Sequence, residues 1–198
     1  MHFKTLVLAT VVNLVIASSA MAHSDVLLSN GEGFWSGVSH PWFGADHLLA
    51  MVAVGLLSAR MGGLALWVLP SSFLGFLAIG GVLGMTNFNL QMVELGIALS
   101  VVTLGAALAV GRKYPIVFAS VAIGGMGLFH GHAHGTEMPS MTTPAFYAIG
   151  FIATTAVIHL LGILAGLWLV RSERRISVLR STGALLSLAG ITLLVSAL

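Results

Sequence analysis

The feature that most limits what this chain can become is a succession of long apolar stretches filling nearly everything after residue 40. Six of them fall near residues 41–59, 64–84, 91–110, 115–133, 144–170 and 178–197. A helix of about 20 residues is roughly 30 Å long, the thickness of a bilayer's hydrocarbon core. Composition agrees: 58% of the 198 residues are hydrophobic and only 7% are charged, where a soluble domain carries roughly 25% charged residues. Lipid is therefore the solvent for most of the chain, and the expected fold is an all-α, polytopic membrane helix bundle. The absence of cysteine excludes disulfides, thiolate metal sites and cysteine nucleophiles together.

Residues 1–22, MHFKTLVLATVVNLVIASSAMA, have a basic start at Lys4, an apolar run from Leu6 to Ala17 and a small-x-small end at Ala20-Met21-Ala22. This pattern reads as a signal peptide cleaved after Ala22. The alternative is an uncleaved transmembrane helix, because the apolar run approaches spanning length. Cleavage would leave His23 as the N-terminus, where amine and imidazole together can chelate a metal; chance placement is the simpler account of that histidine. Residues 23–198 then form a single domain of six transmembrane helices.

Prolines mark helix starts: Ser39 and His40 precede Pro41, Tyr114 precedes Pro115, and Thr142 and Thr143 precede Pro144. Pro70, inside the second stretch, is expected to kink it. The basic residues Arg60, Arg112, Lys113, Arg171, Arg174, Arg175 and Arg180 all fall on one side of the bundle, which the positive-inside rule makes the cytoplasm. A cleaved signal peptide puts the new N-terminus on the other side, and six spans return the C-terminus there. The sequence pI of about 9.5 thus reflects topology and not a nucleic-acid surface. Trp35, Trp42, Trp67 and Trp168 lie near span ends, as in an aromatic belt. Gly80/Gly84 and Gly162/Gly166 have the small-xxx-small spacing of closely packed helices. A homo-oligomer is left open.

The acidic residues show the opposite bias. Asp25, Glu32, Asp46, Glu94 and Glu137 lie outside or in the outer part of a span, and Glu173 alone is cytoplasmic. Such an outer face concentrates cations. Two histidine clusters stand on that same side. In FHGHAHGTE, residues 129–137, His130, His134 and Glu137 are spaced i, i+4, i+7, so a continuing helix aligns them in one stripe while His132 points elsewhere. The stripe ends a helix, where the macrodipole favours a cation. Imidazole nitrogen with carboxylate oxygen suits borderline divalent ions such as nickel, cobalt, zinc or copper. In HPWFGADHLLAM, residues 40–51, His40 and His47 are about two turns apart, too far for one ion on a straight helix. A distortion at Pro41 and Gly44 could gather His40, Asp46 and His47, and broken helix ends recur at transporter sites. Asp46 also suits the positive end of a helix dipole. A histidine buried in a tight bundle can be a simple hydrogen-bonding group. Two clusters on one membrane face, with carboxylates in step, point instead to metal.

Glu94, about one turn into the third span, could complete a site or bond to a neighbouring helix. His159, deep in the fifth span, could be a second stop on a translocation path beside Thr154 and Thr155, or an interhelical hydrogen bond.

HPWFGADH fits His-x5-Asp-His, and FHGHAHGTE fits Phe-His-Gly-x-Ala-His-Gly-x-Glu. With the leader, the six spans and the outer histidines, the chain resembles the HupE/UreJ family of bacterial nickel or cobalt permeases over nearly its whole length. The resemblance implies a bacterial inner-membrane transporter that brings Ni2+ into the cytoplasm as cargo, without a prosthetic group, and supplies hydrogenase or urease. It also implies that His40, Asp46, His47, His130, His134 and Glu137 handle the metal. His132 occupies the motif's variable position, so no role carries over to it. No Walker-type loop points to ATP hydrolysis. A membrane metalloenzyme is the main rival, without an HExxH-type motif to support it. A metal-binding accessory protein for enzyme assembly is a third reading, with little loop surface for docking.

Overall fold

In lipid a helix satisfies every interior backbone N–H and C=O within its own segment, and the apolar stretches all take that form. The computed structural model describes residues 30–86, 88–138 and 143–198. The expected signal peptide, His23, Asp25 and the Glu32 side chain lie outside the described residues. Seven helices follow within that range: α1 (Asn30–Phe43), α2 (Ala45–Met61), α3 (Ala65–Met85), α4 (Val93–Val110), α5 (Ile116–Thr136), α6 (Pro144–Leu169) and α7 (Glu173–Ser196). No strand occurs among them. Five, α3 to α7, are long and apolar enough to cross a membrane; α1 and α2, bent by 81° at their junction, make a sixth if the pair counts as one broken span.

The first span departs from expectation. Pro41 reads as a helix start in the sequence, yet it lies near the end of α1, and the spanning helix begins at Ala45. The break is at Gly44, whose backbone is extended (φ −86°, ψ 106°). A Cβ there would stand 2.7 Å from the His47 ring, so glycine is what lets the chain turn this close to that histidine. The fourth span is longer than expected and runs to Thr136, carrying His134 inside the helix. Helices α5 and α6 start at the marked prolines, with Pro115 and Thr143 in the N-cap positions. Helix α3 continues through Pro70.

Helix α2 is the centre of the bundle, with 12 of its 17 residues buried. It packs against α6, α4 and α3 and more lightly against α1 and α7. The most extensive pairings are α3 with α5, α4 with α7, α2 with α6, and α1 with α6. Glycines set these contacts. On α5, Gly127, Gly131 and Gly135 lie against the carbonyls of Phe73, Leu77 and Gly81; on α3, Gly80 and Gly84 face the carbonyls of Leu128 and His132. The backbones thus meet with no side chain between them, the close approach that small residues permit in lipid. Gly55 of α2 likewise meets the His159 carbonyl and Gly162 of α6.

At the basic end, Arg60 donates to the Gly111 carbonyl (2.9 Å) and Arg180 to the Ala109 carbonyl (2.8 Å), so both cap the C-terminus of α4. The Arg175 guanidinium sits 4.1 Å over the Trp168 ring. All four tryptophans of the expected belt are exposed.

A methyl group added at Gly131 would meet the Leu77 backbone, whereas one at Gly125 meets nothing within 4 Å. Overpacking costs about 1–3 kcal/mol, so Gly131→Ala lowers the unfolding temperature in detergent by several degrees. Gly125→Ala leaves it unchanged or raises it, and equal behaviour of the two variants would refute the packing account.

Candidate metal centre

The α3–α5 contact decides where the histidines of FHGHAHGTE face. Gly131 and Gly135 each follow a histidine by one residue, so turning the glycines onto α3 turns His130 and His134 toward α2. Both imidazoles are buried, His130 at 0% and His134 at 3% exposure. The bend at Gly44 brings the other cluster to them from two directions. From α1, His40 meets the edge of His134 at 4.7 Å between ring centroids; from the start of α2, His47 meets His134 at 4.1 Å and His130 at 4.9 Å. His134 is thus the hinge between the two sequence clusters.

The tightest donor group runs across helices. One ligand atom each from His40, His134 and Glu137 lies within 4.8 Å of the others, and His40 Nε2 is 3.8 Å from a Glu137 carboxylate oxygen. Glu137 is the C-cap residue of α5 and its side chain is 53% exposed, so the trio opens outward. Among the described residues it is the one set of three such donors close enough to share an ion. Imidazole, imidazole and carboxylate suit a borderline divalent ion, and the adjoining helix C-terminus adds negative potential.

The nitrogens are free for this work. Neither ring nitrogen of His134 has a hydrogen-bond partner. His130 Nδ1 lies 2.9 Å from the Met126 carbonyl. A carbonyl only accepts, so Nδ1 carries the proton, and Nε2, which has no partner, presents its lone pair. His47 Nδ1 is likewise unpartnered. Asp46 takes the helix-start position expected of it and lies beside His47. Its Oδ1 accepts the His47 backbone N–H at 2.8 Å in the first turn of α2, and the same oxygen is 3.9 Å from His47 Nε2.

Three second-rank candidates stand apart from the trio. Glu94 is exposed in the first turn of α4, where it offsets the helix dipole. His132 turns away as its spacing requires: its Nε2 donates to the Phe88 carbonyl at 2.6 Å and ties α5 to the α3–α4 connection. His159 is buried at 1% exposure below the cluster.

Aromatic residues that the sequence reading passed over wall the site. Phe151 lies 4.0 Å from His134 between centroids, Tyr147 lies 6.0 Å from His40, and Phe73 lies 5.3 Å from His130. The buried Tyr147 hydroxyl has no hydrogen-bond partner. A single phenylalanine or tyrosine in an apolar helix carries no signal that separates a site wall from ordinary packing. A cavity of about 160 Å³ reaches His134 between α3, α5 and α6, past Leu77, Gly81, Met138 and Phe151. It is several times the volume of a water molecule, and apart from His134 its lining is almost wholly apolar.

Comparison with known proteins agrees with the motifs. The family described as HupE / UreJ protein matches residues 10–193. Protein HupE of Rhizobium leguminosarum bv. viciae is 42% identical over 181 residues, covering 91% of this chain and 93% of the relative. No solved structure matches. Motifs, apolar helices and a match across nearly the full length lead to one conclusion: this multi-pass membrane protein belongs to the HupE/UreJ family.

Proposed function

We propose that the protein is a secondary permease carrying a divalent transition-metal ion, Ni2+ before Co2+, from the periplasm to the cytoplasm. The observation that carries this reading is the trio of His40, His134 and Glu137, continuous through the rings of His134 with the buried imidazoles of His47 and His130. A surface capture site needs no such interior extension, whereas a path does. The choice of nickel rests on the family resemblance, as does delivery to hydrogenase or urease. The same reading puts the chain in the bacterial inner membrane with both termini periplasmic, and makes it a transporter and not an enzyme.

In this mechanism the exposed Glu137 carboxylate attracts the hydrated ion, and His40 and His134 replace part of its water. His47 and His130 then offer nitrogens one layer deeper. Asp46 balances the added charge beside them. Ligand exchange of this kind lets an ion move without ever being bare. The membrane potential is a sufficient driving force: two charges gain about 4.6 kcal/mol per 100 mV, more than a thousandfold in equilibrium concentration. Metal binding needs neutral imidazoles and releases protons when they are charged, so an opposing proton flow fits the same residues.

Proteoliposomes loaded with a metal-sensitive dye test this directly. Ni2+ and Co2+ influx should appear under an imposed inside-negative potential and rise steeply as the potential grows. His134→Ala should cut influx by about 10- to 100-fold, the usual cost of disturbing a metal site. Binding without influx under either a potential or a pH gradient would dismiss the permease.

His132→Ala separates cluster membership from ligation. It should keep influx within about twofold while lowering the unfolding temperature, since a buried hydrogen bond worth about 1 kcal/mol is lost. An influx defect as deep as that of His134→Ala would put His132 on the path.

A further inference from the structure

Beyond the outer cluster one buried imidazole has no assigned work. Both ring nitrogens of His159 lack hydrogen-bond partners, although the residue is only 1% exposed. A polar group buried without a partner in an apolar core is costly, and its persistence calls for an explanation. An interhelical hydrogen bond, the simpler reading of this histidine, is absent among the described residues.

Its position continues the line of histidines. His130 is one turn, about 6 Å, further into the bundle than His134 on α5. Helix α6 runs the opposite way, and its Phe151 ring lies against His134. His159 follows Phe151 by two turns, about 12 Å further in, which leaves it roughly one turn beyond the level of His130. Phe151, Thr155 and His159 share one stripe of α6, so the wall of the outer site leads directly to this imidazole. Thr155 donates its hydroxyl hydrogen to the Phe151 carbonyl at 2.9 Å, leaving its oxygen lone pairs available as acceptors.

One ring stands between the two histidines. Phe73 of α3, fully buried, meets His130 at 5.3 Å and His159 edge-on at 5.1 Å between centroids. Its backbone carbonyl lies against Gly127 of α5, so the main chain is fixed there and motion is left to the side chain.

We propose that His159 is an inner metal station, reached from His130 when the Phe73 ring turns aside. The ligand is the same divalent ion, held by one imidazole nitrogen with the Thr155 oxygen and retained water completing its shell. This inference rests on the permease reading and adds an inward step to it. An inner station with fewer protein ligands than the outer trio binds more weakly, which favours onward release over trapping.

The test uses the full-length protein in proteoliposomes, with Ni2+ and Co2+ as probes, and the same preparations in detergent for equilibrium Co2+ binding followed by its visible absorption. His159→Gln should keep Co2+ affinity within about twofold, because the outer trio is intact, and lose about tenfold or more of the influx. His159→Asn, smaller and equally uncharged, should behave the same way and guards against a folding fault of one variant. Native-level influx in either well-folded variant overturns the inner station while leaving the permease standing. Equal loss of binding and influx in both variants also overturns it, because His159 would then merely support the outer cluster. Absence of influx in the native protein removes the permease and this step together.

Discussion

Everything in the outer half of this protein depends on the contact between two helix backbones. Gly127, Gly131 and Gly135 of α5 lie on carbonyls of α3, and Gly80 and Gly84 return the contact. Helices in lipid gain little from hiding apolar surface, so close packing and polar contacts must hold them together. That demand has a chemical by-product here. A helix pressed so tightly along one face presents its remaining faces in fixed directions, and His130 and His134, each just before a glycine, are turned toward the middle of the bundle. The motif is therefore two interleaved patterns, glycines that meet α3 and histidines that face the interior.

The second constraint is the short central helix α2. It is surrounded by other helices and begins with a carboxylate and an imidazole. A polar start of this kind is tolerable inside a membrane only where the backbone N–H groups at a helix N-terminus can accept it. The sharp turn at Gly44 supplies that N-terminus, with Asp46 half-buried and His47 buried. The same turn folds α1 back so that His40 meets His134. One interruption of the chain thus provides both a place for Asp46 and the third side of the donor trio.

Much of this was legible in the sequence, for reasons that differ by element. Helices α3 to α7 announced themselves by length and hydropathy, and Pro115 and Pro144 marked their starts closely. Helix α1 did not: NGEGFWSGVSH is rich in glycine and serine, and its helical form depends on packing against α6, as where Gly37 meets the Tyr147 carbonyl. That tertiary support leaves no local trace, so Pro41 looked like a beginning when it lies near an end. The two histidine clusters were visible because charge and imidazole are rare in such a chain. Their convergence on one face and a distortion near Gly44 were expected too; the 81° size of the bend and the meeting of His40 with His134 were not. Phe73, Tyr147 and Phe151 were hidden among other aromatic residues of the same kind. His23 and the leader fall outside the described residues.

The two arginines at the basic end give the molecule a direction. The C-terminus of an α-helix carries the equivalent of about half a negative charge on its last carbonyls. At the inner end of α4 that charge is covered, because Arg60 and Arg180 hold the carbonyls of Gly111 and Ala109. At the outer end of α5 the corresponding terminus is flanked by imidazoles and a carboxylate. A cation therefore meets an attractive helix end on one face of the membrane and a neutralised, positively fringed one on the other. On the proposed permease reading, this asymmetry of helix caps favours passage in one direction and discourages return of the ion before any gate has to close.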